Sequence, residues 1–195
     1  MSAVNLTQMS EAEYLAWQLD QDELYELVEG VPVARWNGMA GATLRHDGIV
    51  INAIPSLGQQ LRGKKCRPMS SNVAVRIPKG NYRRPDVIVA CGKAKSDKEL
   101  AAPEPRLAIE VLSPSTANLD RTRKLAEYKT VTTIDVVLLI ETELAEVAVH
   151  RRVDGQWQLE TAHGLDKVIA LPEIAAKLSL ADLYESIAFE GTDGP

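Results

Sequence analysis

The stretch Leu-Ala-Ile-Glu-Val-Leu, residues 107–112, constrains the fold more than any other. Its apolar, β-forming composition, with Pro103 and Pro105 before it and Ser-Pro-Ser after it, reads as a short buried strand. An ionised carboxylate in such a strand costs several kcal/mol, so Glu110 must be paired, protonated or bound to a cation. Asp86 raises the same problem. It opens a second apolar run, Asp86-Val-Ile-Val-Ala90, directly after Arg84-Pro85, on a segment expected to pair near the Glu110 strand. Two converging carboxylates repel each other, and one stays protonated at neutral pH unless a cation lies between them. Hard oxygen ligands with few histidines favour Mg²⁺ or Mn²⁺ over zinc or copper.

The surrounding pattern predicts a mixed α/β (α+β) domain. Ser10-Glu-Ala-Glu13 is a capping box ahead of a short helix, and Glu23–Val28 and Pro32–Trp36 flank Glu29-Gly30 as a hairpin. From Thr43 to about Arg62, Val50, Ile54, Leu57 and Leu61 recur at helical spacing, with His46 on the same stripe and Pro55 as an expected kink. Val73–Ile77, Asp86–Ala90 and Leu107–Leu112 read as strands of one sheet. A helix is predicted from about Asp120 to Lys129, then strands over 135–141, 146–153 and 156–161 with a turn at Asp154-Gly155. Leu171–Leu180 reads as a bridge, and Ser179 caps a last short helix. With 195 residues and 45% hydrophobic content, the chain is expected to form a single domain over 1–195, with flexible tails at 1–9 and 190–195.

Net charge is −5, but its distribution matters more than the sum. Residues 1–30 carry acids and no Lys or Arg. Residues 58–84 carry Arg62, Lys64, Lys65, Arg67, Arg76, Lys79, Arg83 and Arg84 and no acid. Such a run is either a solvated face or a phosphate-binding surface. Cys66 and Cys91 form no C-x-x-C pair and suggest no disulfide framework, which fits a reducing compartment. The scattered His46, His150 and His163 have no zinc-ligand spacing. With no signal-like start and no apolar run of membrane-crossing length, the chain is expected to be soluble, cytoplasmic and free of membrane contact.

Arg-Pro-Asp86, Ile-Glu110-Val-Leu-Ser-Pro-Ser-Thr and Asp120-x-x-x-Lys124-x-x-x-Tyr128 together resemble the Uma-type family, a branch of the PD-(D/E)XK restriction-endonuclease-like superfamily. Tyr25-Glu-Leu-Val-Glu-Gly30, His46 and Leu180-Ala-Asp-Leu-Tyr184 extend the resemblance over about Tyr14 to Tyr184. It implies a mixed β-sheet core flanked by helices, preceded by an N-terminal helix and hairpin. It also implies a DNA endonuclease with Asp86 and Glu110 as Mg²⁺ (or Mn²⁺) ligands, Glu26 as an auxiliary acid and His46 near the site. A homodimer is expected by analogy with nucleases that use two sites for two strands. Arg62, Lys64, Lys65, Arg67, Arg83 and Arg84 would bind the DNA backbone. The superfamily pattern expects a lysine two positions after the glutamate, where this chain has Leu112. Lys124 is the substitute, on a helix face shared with Asp120 and Tyr128.

Blander readings stand beside these. Glu110 could pair with Arg84, Lys124 with Asp120, and His46 could be a satisfied core histidine. The competing function is a noncatalytic nucleic-acid- or protein-binding module that retains the fold, with Leu112 marking lost activity. Gly38-Met-Ala-Gly41 matches neither a Walker loop nor a dinucleotide fingerprint.

Overall fold

Ser10 accepts the Glu13 amide while the Glu13 carboxylate accepts the Ser10 amide, so the predicted capping box forms and starts helix α1, Glu11–Gln18. The computed structural model describes residues 8–35, 43–96, 98–113 and 120–189, with backbone alone at 120 and 121. Strands β1, Tyr25–Val28, and β2, Val31–Ala34, form the first hairpin. Its turn has positive φ at both Glu29 (53°) and Gly30 (80°), the backbone twist that a two-residue hairpin requires. Met9, in the expected N-terminal tail, donates its amide to the Gly30 carbonyl at 2.7 Å.

Helix α2, Leu44–Leu61, buries His46, Ile49, Ala53, Leu57 and Leu61 and has Pro55 inside it. The stripe is rotated from the predicted one: Val50 and Ile54 lie on its flank, partly buried. Strand β3, Arg67–Ser70, and the two-residue strands β4, Val75–Arg76, and β5, Tyr82–Arg83, follow. None of the three is a clear apolar alternation, and β3 and β5 escape sequence reading for that reason. Next come β6, Val87–Ala90, and β7, Pro105–Val111. A π-helical turn, Asp120–Lys124, runs into helix α3, Leu125–Thr130. The chain continues through β8, Val136–Ile140, β9, Glu146–Val153, and β10, Gln156–His163. Asp154 and Gly155 make the predicted turn with positive φ. The segment read as a bridge is instead a small hairpin of β11, Val168–Leu171, and β12, Ala176–Ser179, which leads into helix α4, Leu180–Leu183.

The main sheet has the order β10-β9-β8-β7-β6-β3, and a second sheet has the order β2-β1-β5-β4. The three apolar segments expected in one sheet are therefore divided, with β4 in the smaller one. Of the main-sheet pairs only β7–β8 is parallel, and its crossover carries α3. Alternation sorts the central strands between two cores. Val87, Val89, Leu107, Ile109 and Val111 face α2. Ile88, Ala90, Ala108 and Leu112 face the other way, toward Leu125, Tyr128, Val131 and Ile134 of the crossover segment. Glu110 has the same parity as Ala108 and Leu112, which puts it beneath the crossover helix.

The expectation drawn from the cysteines is also overturned. Cys66, before β3, and Cys91, after β6, are joined by a disulfide. Strand pairing makes this possible, because β3 and β6 are neighbours with Arg67 opposite Ala90. The cysteines therefore no longer support a reducing compartment. Among the described residues no helix is long and apolar enough to cross a membrane. The expected tail at 190–195 and Gly38–Gly41 lie outside the described residues.

Candidate active site

Antiparallel register sets Val87 opposite Ile109, so Asp86, one residue before, comes alongside Glu110, one residue after. The carboxylates are buried, at 5% exposure for Asp86, 2% for Glu110 and 6% for Glu26. Each is neutralised by a different set of donors. Asp86 Oδ1 accepts from the Arg35 guanidinium at 2.5 Å, and Oδ2 accepts from the Val111 amide at 2.8 Å. His46 Nε2 lies 3.3 Å from the same Oδ2. Burial pushes the Asp86 carboxyl up, but hydrogen bonding from His46, the charges of His46 and Arg35 and the Val111 amide outweigh it and hold it below its ordinary value.

Glu110 Oε1 accepts from the Tyr128 hydroxyl at 2.6 Å, and Lys124 Nζ lies 3.3 Å from the same oxygen. Lys124 also lies 3.8 Å from Glu26 Oε1. The lysine thus sits between two acids carried by different sheets. Burial and the charges of Glu110 and Glu26 push the Tyr128 hydroxyl well above its ordinary value, so it remains a donor to Glu110. Glu26 accepts from Arg83 at 2.7 Å and from the Arg84 amide at 2.9 Å. Burial raises its carboxyl, but the charges of Lys124 and Arg83 and these bonds leave it below the usual value.

The face expected to carry Asp120, Lys124 and Tyr128 does bring Lys124 and Tyr128 onto Glu110. The Asp120 side chain lies outside the described residues. Leu112, at the usual lysine position, is 2% exposed and packed in the apolar core beneath α3, where an ammonium would be poorly solvated. The crossover helix instead delivers the amine from above the same sheet face.

Arg83 and Arg84 do not lie on a surface. Arg83 joins Glu26 to Glu127, which also accepts from Asn81 at 3.0 Å. Arg84, 1% exposed, donates to the carbonyls of Tyr25 and Asn72 and does not pair with Glu110. Both leave the expected backbone-binding set, because a guanidinium committed inside the protein cannot meet phosphate. Arg62, Lys64, Lys65 and Arg67 are exposed, but they follow the far end of α2. The helix length from His46 to Leu61 separates them from the site by roughly 20 Å. Lys64 is bonded to the Ala175 carbonyl and Lys65 is paired with Glu104.

Sequence reading missed Arg35 and Glu127. Arg35 follows the β2 strand with no spacing that links it to Asp86. Glu127 differs from a solvated helix glutamate through its bonds to Arg83 and Asn81, both of which come from a distant part of the chain.

Asp86 and Glu110 are hard oxygen donors, the type that Mg²⁺ takes when one or two carboxylates hold it and water and phosphate complete its shell. Among the described residues no group of three or more His, Cys, Asp or Glu is arranged to hold a metal ion.

A mixed sheet presenting two adjacent carboxylates, with a lysine supplied by the crossover helix, defines a restriction-endonuclease-like fold. The chain belongs to the Uma2 family, described as "Putative restriction endonuclease", which matches residues 11–182. It is 28% identical over 183 residues to an uncharacterized protein of Synechocystis sp. (strain PCC 6803), covering 93% of this chain and 94% of that one. A second uncharacterized Synechocystis protein is 28% identical over 162 residues, covering 80% and 88%. The fold is shared with the crystal structure of a "putative nuclease belonging to DUF820" from Anabaena variabilis, at TM-score 0.69 and 20% identity over 90% of this chain and 97% of that one.

Proposed function

We propose that this protein is a metal-dependent endonuclease that hydrolyses phosphodiester bonds in DNA. The observation that supports the reading is a pair of buried carboxylates on adjacent strands, Asp86 just before the Val87–Ile109 pair and Glu110 just after it, with the Lys124 ammonium 3.3 Å from Glu110. Asp86 and Glu110 would hold Mg²⁺ or Mn²⁺. When bound, the ion would polarise the phosphate and lower the pKa of a water ligand.

The remaining work falls to the chain itself. Glu110 and Glu26 hold the Lys124 ammonium from two sides, so that its charge is fixed where negative charge grows on the phosphate oxygens. Tyr128 keeps Glu110 oriented through its O–H. His46 and the Val111 amide orient Asp86. The exposed cluster of Arg62, Lys64, Lys65 and Arg67 would meet backbone phosphate away from the scissile bond, and its contribution should fall with salt. A homodimer goes with this reading.

Plasmid cleavage in Mg²⁺ and Mn²⁺, comparing wild type with Asp86→Ala, tests it. Metal-dependent nicking or cutting that Asp86→Ala abolishes is the expected result. Metal bound by wild type without cleavage of any DNA would favour the noncatalytic module instead.

A further inference from the structure

We propose that the Cys66–Cys91 disulfide is an exchangeable bond, opened at the Cys66 sulfur by an anionic low-molecular-weight thiol held in the basic cavity beside it. A cavity of about 290 Å³ lies where α2 turns into β3. Its wall includes Leu61, Arg62, Lys64, Cys66, Arg67 and Pro68, and none of the described residues lining it is acidic. This face lies at the far end of α2 from His46, and nothing in its chemistry depends on the nuclease reading.

The two cysteines are not equivalent. Cys91 is 6% exposed, belongs to the core that α2 covers, and donates its amide to the Glu104 carbonyl at 3.1 Å. The chain closes tightly there: a Cβ on Gly92 would stand 2.9 Å from Pro103. Cys66 is only partly buried and contributes to the cavity wall, which Cys91 does not. Exchange depends on which sulfur a thiolate can reach, so access selects Cys66 for attack and leaves Cys91 as the departing group.

Charge decides which thiols gain. The carbonyl end of α2 carries a partial negative charge of about half an elementary unit. Arg62, Lys64 and Arg67 bring a full positive charge each to the same cavity, and the bond from Lys64 to the neutral Ala175 carbonyl leaves its charge uncompensated. The field is therefore positive, and it concentrates an anion beside Cys66. The step balances as an exchange. The thiolate sulfur bonds to Cys66, the Cys66–Cys91 bond breaks, and its electron pair leaves on Cys91, which takes a proton from water. A second molecule of the thiol then releases Cys66 as a thiol, so two thiols are oxidised to their disulfide while the protein disulfide is reduced.

Three thiols of equal length test this on the folded full chain: 2-mercaptoethanesulfonate (anionic), 2-mercaptoethanol (neutral) and cysteamine (cationic). Bond opening is followed by acid quenching and intact-mass spectrometry, with each rate expressed per thiolate and normalised to the same thiol's rate on an uncharged reference disulfide. The sulfonate is expected to open the wild-type bond about 10-fold faster than mercaptoethanol, the lower end of electrostatic focusing, and cysteamine to be slowest. High salt should shrink these differences. The triple variant Arg62→Gln, Lys64→Gln, Arg67→Gln should bring the three rates together. Cys91→Ser should take up the sulfonate at Cys66 from its symmetrical disulfide, whereas folded Cys66→Ser should take up little at Cys91. The wild-type comparison serves alone if the single-cysteine variants do not fold. Rates without the charge order, an order that survives in the triple variant, labelling of Cys91 as fast as Cys66, or a rate independent of thiol concentration, as global unfolding would give, each overturns the proposal. So does a wild-type bond that none of the three thiols opens.

Discussion

The Lys124 ammonium lies 3.3 Å from a Glu110 carboxylate oxygen, although 14 positions separate the residues in the chain. Replacing Lys124 with alanine should leave Mn²⁺ binding in place and lower the single-turnover cleavage rate roughly 10²–10³-fold, the usual effect of removing one transition-state donor. An unchanged rate would remove Lys124 from the machinery.

Moving the lysine to the superfamily position should not help. Leu112 is packed beneath α3, so Leu112→Lys would bury an ammonium without a built partner and cost a few kcal/mol, on the order of 2–5. Urea unfolding would show a clearly lower midpoint, with no rise in the cleavage rate. A variant as stable as wild type would contradict the placement.

Arg83 links the sheet that carries Glu26 to the helix that carries Lys124, through Glu127. Arg83→Ala leaves two acids in the interior without their guanidinium and should cost about 3–5 kcal/mol. For a chain of this size that corresponds to a fall in Tm of roughly 10 °C or more, readable by calorimetry. Glu127→Gln keeps a hydrogen-bond acceptor and should cost less.

Stability should fall in acid through Asp86 and Glu26. Both carboxyls are held below their unfolded values, so their contribution is fully present above about pH 4 and is lost as pH drops through the lower folded values. The urea midpoint should change little with pH in the neutral range and fall steeply below about pH 4. Asp86→Asn and Glu26→Gln should each start lower at pH 7 and fall less steeply in acid. A wild-type slope in both variants would locate the acid sensitivity elsewhere.

The Cys66–Cys91 bond closes a loop of 25 residues in sequence separation. By the chain-entropy relation its reduction should cost about 3.5 kcal/mol. Thermal melts with and without a thiol reductant measure this, and a Cys66→Ser, Cys91→Ser double variant should match the reduced protein.

The strand carrying Glu110, the strand that follows Asp86, the capped first helix and the hairpin turns at Glu29-Gly30 and Asp154-Gly155 can be read from the residues alone. These are local features, set by residue alternation, side-chain capping and backbone conformations that a few residue types accept. The approach of Lys124 and Tyr128 to one carboxylate is also legible, because their spacing of four lets them share a helix face. Which charges meet is a matter of how distant segments pack together. Arg83 and Arg84 look in sequence like members of a basic surface, yet strand pairing turns both inward. Arg35 reaches Asp86 across 51 positions, and Cys66 reaches Cys91 only because β3 and β6 are neighbours in the sheet. Long-range pairing of this kind depends on sheet order and register, which no short window of residues specifies, and at this site it chooses the partner of every buried carboxylate.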